Sequence, residues 1–308
     1  MAEHVWRPSI PVVRDRGGRR WTPEQVERDP ALVDRDGLQC ADCGVDATWQ
    51  AAHTRIHSRT GLTFDVRLHF RLRHRGSEHA PTCRYDFDRR AGDLTHDFPG
   101  IVTKRGEVYQ LRMPLSAMPQ AHDPRPGVRQ LAPHLEAGAG PVLSAARRIV
   151  QLLEDFSGQP GAQERFRARY ADLEEIGWGD FCWHVNRNAR ACELVDELRR
   201  PERRTYPIAV WGMARPVKAS RSGSSRYVTL THVRQGQTAA RIRARDPLVL
   251  QPFEVAQQAG VARRVIGFGE WRAALLDERR HGATRADDHE TAVEAVLWAN
   301  HPSAVAWW

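Results

Sequence analysis

The sequence predicts an α+β protein on three observations: an alternating apolar strand beside a Cys-x2-Cys pair, a middle stretch of helical periodicity, and a series of short strand-like runs near the C-terminus. At 308 residues the chain exceeds one usual domain, so the three features are assigned to separate parts. These are an N-terminal β domain with an arm over residues 1–115, a proline-rich linker over 116–140, a helical segment over 141–200 and a β-rich domain over 201–308. With 41% hydrophobic and 27% charged residues, wholesale disorder is excluded, and no apolar run is long enough to cross a bilayer. The opening "MAEHVWRPSI" lacks the basic and apolar regions of a secretory signal, so the expectation is a cytoplasmic protein. In that compartment five cysteines are metal ligands or buried thiols rather than disulfides.

The elements follow in chain order. After a loose arm containing "RDRGGRR", Thr22 before Pro23-Glu24-Gln25 reads as a helix N-cap with proline at the first helical position. "DATWQAAHTRIH" and "TFDVRLHFRL", joined by the turn "SRTG", read as a hairpin. In its second strand Phe64, Val66, Leu68, Phe70 and Leu72 share one face. "EVYQLRMPL" is a further strand, and "SAMPQAHDPRPGVRQLAP" has the proline content and missing periodicity of a linker. From Val142 to Phe156 apolar residues recur at helical spacing, and the pattern is read as continuing to residue 200. "YPIAVWGMARPV", "SRYVTLTHV" and "AARIRARD" are then strands, followed by a short helix "PFEVAQQAG" and the strand "ARRVIGFGEW". The chain closes with "TAVEAVLWANHPSAVAWW", and strand, strand, strand, short helix, strand, strand is the order of a five-stranded OB-like barrel.

Cys40 and Cys43 suit two thiolates on one small cation, and two further ligands are required. His53 and His57 would complete a Cys2His2 set. Their spacer, however, is nine residues, against the roughly twelve that a nucleic-acid-binding finger of that kind needs for a strand, a turn and a helix start. His79 and Cys83 would complete a Cys3His set with the hairpin inserted between the pairs, a common closed shell for structural Zn2+. The third reading is four unrelated residues on a β surface. His69 and His74 are assigned to the solvated face or to support around the ligands rather than to the ligand set, and Cys182 and Cys192 to buried thiols.

"CADCG", a strand ending in "LHFRL", and "EHAPTC" together resemble the zinc-finger segment of competence CoiA-like proteins over residues 38–86. In that family the finger often precedes a nuclease of the restriction-endonuclease type, so the resemblance implies a nuclease or a nuclease-accessory protein as the alternative. No acidic residue followed by a Glu-x-Lys-like pair stands on the strands read here.

Net charge is +8, and of 46 basic residues only Lys104 and Lys218 are lysines, an imbalance that GC-rich coding produces by itself. The charge still favours an anionic macromolecule over a membrane, because no basic amphipathic helix concentrates it. No glycine-rich phosphate loop, nucleophile elbow or His-Glu-x-x-His helix is present, which favours binding over catalysis. In the C-terminal part Trp211, Tyr227, Phe268 and Trp271 beside Arg215, Arg221, Arg226 and Arg241 suit a stacking platform for single-stranded nucleic acid, DNA above all. The opposing reading fills the barrel core with the same aromatics. The expectation is a bacterial-type nucleic-acid-binding protein with a structural zinc. A zinc-stabilised protein-interaction scaffold is the remaining alternative.

Overall fold

The structure is a computed structural model that describes residues 9–56, 63–74, 77–113, 139–156, 160–170, 175–185, 188–200, 206–220, 222–230, 239–275 and 293–308. Nearly all of the expected linker over 116–140 lies outside them. The chain is mixed α+β and forms two compact units: Met1–Asp97 with Lys104–Tyr109 and Ile149–Phe166, and Phe98–Thr103 with Gln110–Arg148 and Arg167–Trp308. No helix among the described residues is long and apolar enough to cross a membrane.

In the first unit, part of the expected loose arm is a hairpin. Strand β1 (Val13–Arg14) lies between β2 (Arg20–Trp21) and β3 (Gln39–Cys40) in an antiparallel sheet. The Asp15 carboxylate ties its turn, accepting from the Arg19 backbone N–H and from Trp21 Nε1, each at 2.9 Å. These bonds hold the Asp15 carboxyl below its ordinary range. Helix α1 (Pro23–Arg28) begins where the sequence places it: Thr22 and Gln25 form a reciprocal capping box, and Val26 is buried.

The expected long strand is divided. β4 (Ala47–Gln50) pairs with β7 (His69–Leu72), and β5 (His53–Ile56) pairs with β6 (Thr63–Val66). The expected turn "SRTG" lies outside the described residues. The chain leaves the ladder at Arg67 and Leu68, yet Val66, Leu68 and Phe70 are all buried, so the alternation survives the break. Helix α2 (Phe87–Asp97) buries Phe87, Ala91 and Leu94 at helical spacing. The Phe87 ring meets Phe156 edge-on at 5.2 Å.

The middle of the chain is not uniformly helical. Helices α3 (Ala139–Asp155), α4 (Pro160–Glu164), α5 (Trp178–Phe181) and α6 (Asn188–Arg199) alternate with β10 (Phe166–Arg169), β11 (Ile176–Gly177) and β12 (Cys182–His184). Phe166, Ala168 and Tyr170 are fully buried, which is a period of two inside a sequence read with a period of 3.6. With β8 (Val102–Arg105) and β9 (Val108–Arg112), β10 and β11 give a sheet of order β11-β10-β9-β8.

The C-terminal strands do not close an OB-like barrel; they form two sheets. One has the order β12-β13-β17-β20, the other β14-β15-β16-β19-β18. Their ranges are β13 Ile208–Met213, β14 Lys218–Ala219, β15 Arg226–Thr229, β16 Ala239–Ala244, β17 Arg264–Gly269, β18 Trp271–Leu275, β19 Val293–Trp298 and β20 Val305–Trp307. The pairs β12/β13 and β16/β19 are parallel, so each needs a crossover rather than a hairpin, and among the described residues the edge strands of the two sheets do not pair with each other. The chain turns from one sheet into the other at Gly269 and Glu270, between β17 and β18. The inward faces share one core, with Val210 and Val265 on one side and Val228, Ile242 and Leu297 on the other. Leu194 of α6 and Phe253 of α7 (Gln251–Gln258) close it.

Candidate metal centre and a basic sheet face

Cys40 ends β3, and the chain turns back on itself immediately. Gly44 N–H donates to the Cys40 carbonyl at 3.0 Å, and Cys40 N–H donates to Val45 O at 2.8 Å. Gly44 has φ +76°, and an added Cβ would stand 3.0 Å from Arg14 Nη2, so the knuckle requires glycine there. The second pair arrives on a similar turn, in which Cys83 N–H donates to Ala80 O at 2.8 Å. The two turns are latched by Asp42, whose Oδ2 accepts from the Arg84 N–H at 2.8 Å.

The ligand atoms of Cys40, Cys43, His79 and Cys83 all lie within 4.8 Å of one another, an arrangement that could hold a metal ion. The Cys40 and Cys83 sulfurs are 3.7 Å apart, and His79 Nδ1 is 3.3 Å from both Cys43 Sγ and Cys83 Sγ. Cys40 and Cys83 are buried, and Cys43 and His79 half-buried. Burial raises the Cys43 thiol, but backbone bonds from Val45 and Ala80 and side-chain bonds with His79 and Cys83 outweigh it and lower it to about 6. Burial lowers the His79 imidazole, whereas hydrogen bonds and charge from Cys40 and Cys43 raise it to about 9. Burial pushes the Cys83 thiol up. A bound cation would displace these protons.

His53, the other ligand considered, sits on β5 with Nδ1 3.0 Å from Ala51 O and is not part of the cluster; His57 lies outside the described residues. Cys182 is buried and its thiol raised by that burial, whereas Cys192 on α6 is only half-buried, unlike the buried thiol expected.

The C-terminal aromatics divide. Trp211 is buried with His184 stacked on it at 3.8 Å, Phe268 is buried near Phe181, and Trp271 points into the shared core. None of the three is free to stack on a ligand. Arg226 faces away from Tyr227 along β15 and is ion-paired with Glu254 of α7. Arg215 is exposed in the loop after β13, and Arg221 lies outside the described residues.

Tyr227 and Arg241 do share a face, the outer face of the five-stranded sheet. Register places Lys218 beside Tyr227, Tyr227 beside Arg243, Arg243 beside Trp298, and Arg241 beside Val296, which in turn stands beside Arg272. Arg241 Cζ is 5.3 Å from the Tyr227 ring centre, and Arg243 and Arg245 approach Trp298 at 5.8 and 5.5 Å. Trp298 is 39% exposed. Arg243, Arg245 and Trp298 were not singled out from the sequence, although the period-two arginines of "RIRAR" were the available signal. No protein-family model matches the chain, and no curated protein matches it.

Proposed function

We propose that the protein binds nucleic acid, without chemistry of its own, through the outer face of the five-stranded sheet, and that a structural zinc ion staples its N-terminal unit. The observation that carries the reading is the convergence of Lys218, Arg241, Arg243, Arg245 and Arg272 with two partly exposed rings, Tyr227 and Trp298, on one side of one sheet. Among the described residues two acids stand against these cations, Glu294 paired with Arg241 and Arg243 and Glu270 paired with Arg272, so five basic residues face two acidic ones and the face is cationic. Cations beside rings are what a polynucleotide requires: phosphates meet the charge and bases meet the rings.

Zinc is supported by distance and by donor set. With Zn–S near 2.3 Å and Zn–N near 2.0–2.1 Å, a tetrahedron places sulfurs roughly 3.8 Å apart and nitrogen roughly 3.6 Å from sulfur. The 3.7 Å and 3.3 Å separations lie close to these values before any metal draws the ligands into line. Three thiolates and one imidazole fill all four positions. Water then has no place on the metal, which gives the ion a structural role.

Fluorescence anisotropy of the full chain with a labelled oligonucleotide, titrated with salt, tests the reading. The expected result is an affinity that falls linearly in log–log form as salt rises. Absence of any salt-sensitive affinity would overturn it, and metal-dependent cleavage of the probe would replace it with a nuclease.

A further inference from the structure

We propose that the outer face of the five-stranded sheet holds two consecutive unpaired bases of a polynucleotide strand, in two stacking places that Glu294 keeps in register. The inference rests on the nucleic-acid reading and specifies which form is bound and how. Arg241 and Arg243 stand two positions apart on β16, so their side chains leave the sheet roughly 7 Å from one another. One approaches Tyr227 at 5.3 Å and the other Trp298 at 5.8 Å, so each pairs a planar cation with a ring.

Both guanidinium groups are tied to a single carboxylate. Glu294 Oε2 is 2.6 Å from Arg241 Nη1, and Oε1 is 2.5 Å from Arg243 Nη2. Glu294 is 3% exposed, so water does not compete well for the tie. Held in this way the two arginines cannot swing out to phosphates, and they offer flat surfaces beside the rings instead. Arg245 differs: it is exposed, lies 5.5 Å from the Trp298 ring centre and, among the described residues, pairs with no carboxylate. It is the cation free to meet a phosphate. Bases within a duplex already stack on their neighbours and present no face, whereas an unpaired strand presents one at each nucleotide.

The test uses the full chain, a labelled deoxythymidine oligonucleotide, and the same oligonucleotide annealed to its complement. The single strand should bind at least about tenfold more tightly than the duplex. Tyr227→Ala and Trp298→Ala should each weaken single-strand binding roughly five- to a hundredfold with the salt slope unchanged. Arg245→Gln should flatten that slope by about 0.7. Glu294→Gln should release the two arginines and steepen it by up to about 1.4. If Glu294→Gln does not fold, the exposed-side variants at Tyr227 and Trp298 decide the matter. Equal binding of duplex and single strand, or wild-type affinity in both ring variants, overturns this inference while leaving a salt-sensitive nucleic-acid binder. Loss of all salt-sensitive affinity in the unmutated chain overturns both.

Discussion

Cys83 shows how one side chain joins several constraints. Its thiol stands 3.7 Å from the Cys40 sulfur, its sulfur accepts from the Tyr85 N–H at 3.4 Å, and its carbonyl accepts from Arg89 Nη2 at 2.9 Å. Cys83→Ser removes a thiolate from the shell but keeps the turn, so the purified variant should carry no zinc where the parent carries one per chain, measured by elemental analysis. His57→Ala should retain the metal; retention by Cys83→Ser would refute the ligand assignment. Arg165 presents a different case at the same scale. It is fully buried, donates from Nε to Glu107 O at 2.5 Å, and pairs through Nη2 with Asp88 at 2.9 Å and Glu107 at 3.1 Å. The two acids are about half exposed and can be solvated without it, whereas the guanidinium cannot be solvated without them. Asp88→Asn combined with Glu107→Gln leaves the buried cation uncompensated and should cost about 3–5 kcal/mol. Arg165→Met should cost less, and urea denaturation of the two variants compares them directly.

At the scale of elements, the decisive contact is that between the two C-terminal sheets. Gly267 of β17 stands so close to the opposite sheet that an added Cβ would lie 2.8 Å from both Ile242 Cδ1 and Leu297 Cδ2. Both neighbours are fully packed, so neither can retreat freely. Gly267→Ala should therefore destabilise by about 1–3 kcal/mol through overpacking, with a lower thermal midpoint as the readout. Gly260, at φ +72° with open space around it, should lose stability on mutation to alanine through backbone strain alone. The elements were unequally legible. Helix α1 was, because Thr22, Pro23 and Gln25 carry its start locally. Strand β10 was not, because "ERFRARYADLEE" fits a helical spacing as readily as an alternating one until burial selects Phe166, Ala168 and Tyr170.

For the whole molecule, the two units differ in what holds them together. The first unit has short strands and a knuckle in which three thiols and an imidazole meet, so a metal bound there would add its binding energy to the folding of this unit. The second has its own core of buried residues from two sheets and two helices. Chelation should therefore raise hydrogen exchange across residues 38–86 while the strands Ile208–Met213 and Arg264–Gly269 stay protected, followed by mass spectrometry. Equal loss of protection in both regions would show that the metal does not staple the first unit alone. The cationic character was visible in the sequence as a net charge of +8, but a total says nothing about where charge converges.

The sequence by itself determined the ligand quartet of Cys40, Cys43, His79 and Cys83 as a candidate, because a cation of this kind needs four donors and few residue types can supply them. It also determined the buried alternation of Val66, Leu68 and Phe70 and the capped start of α1, since each is written in adjacent residues. Only the tertiary structure decided that Trp211, Phe268 and Trp271 are packed while Tyr227 and Trp298 share an outer face with Arg241 and Arg243. An alternating strand fixes that its residues divide between two faces. Which face is inward depends on what packs against it, and that partner is brought from as far away in the chain as Leu297 of β19 is from Val210 of β13.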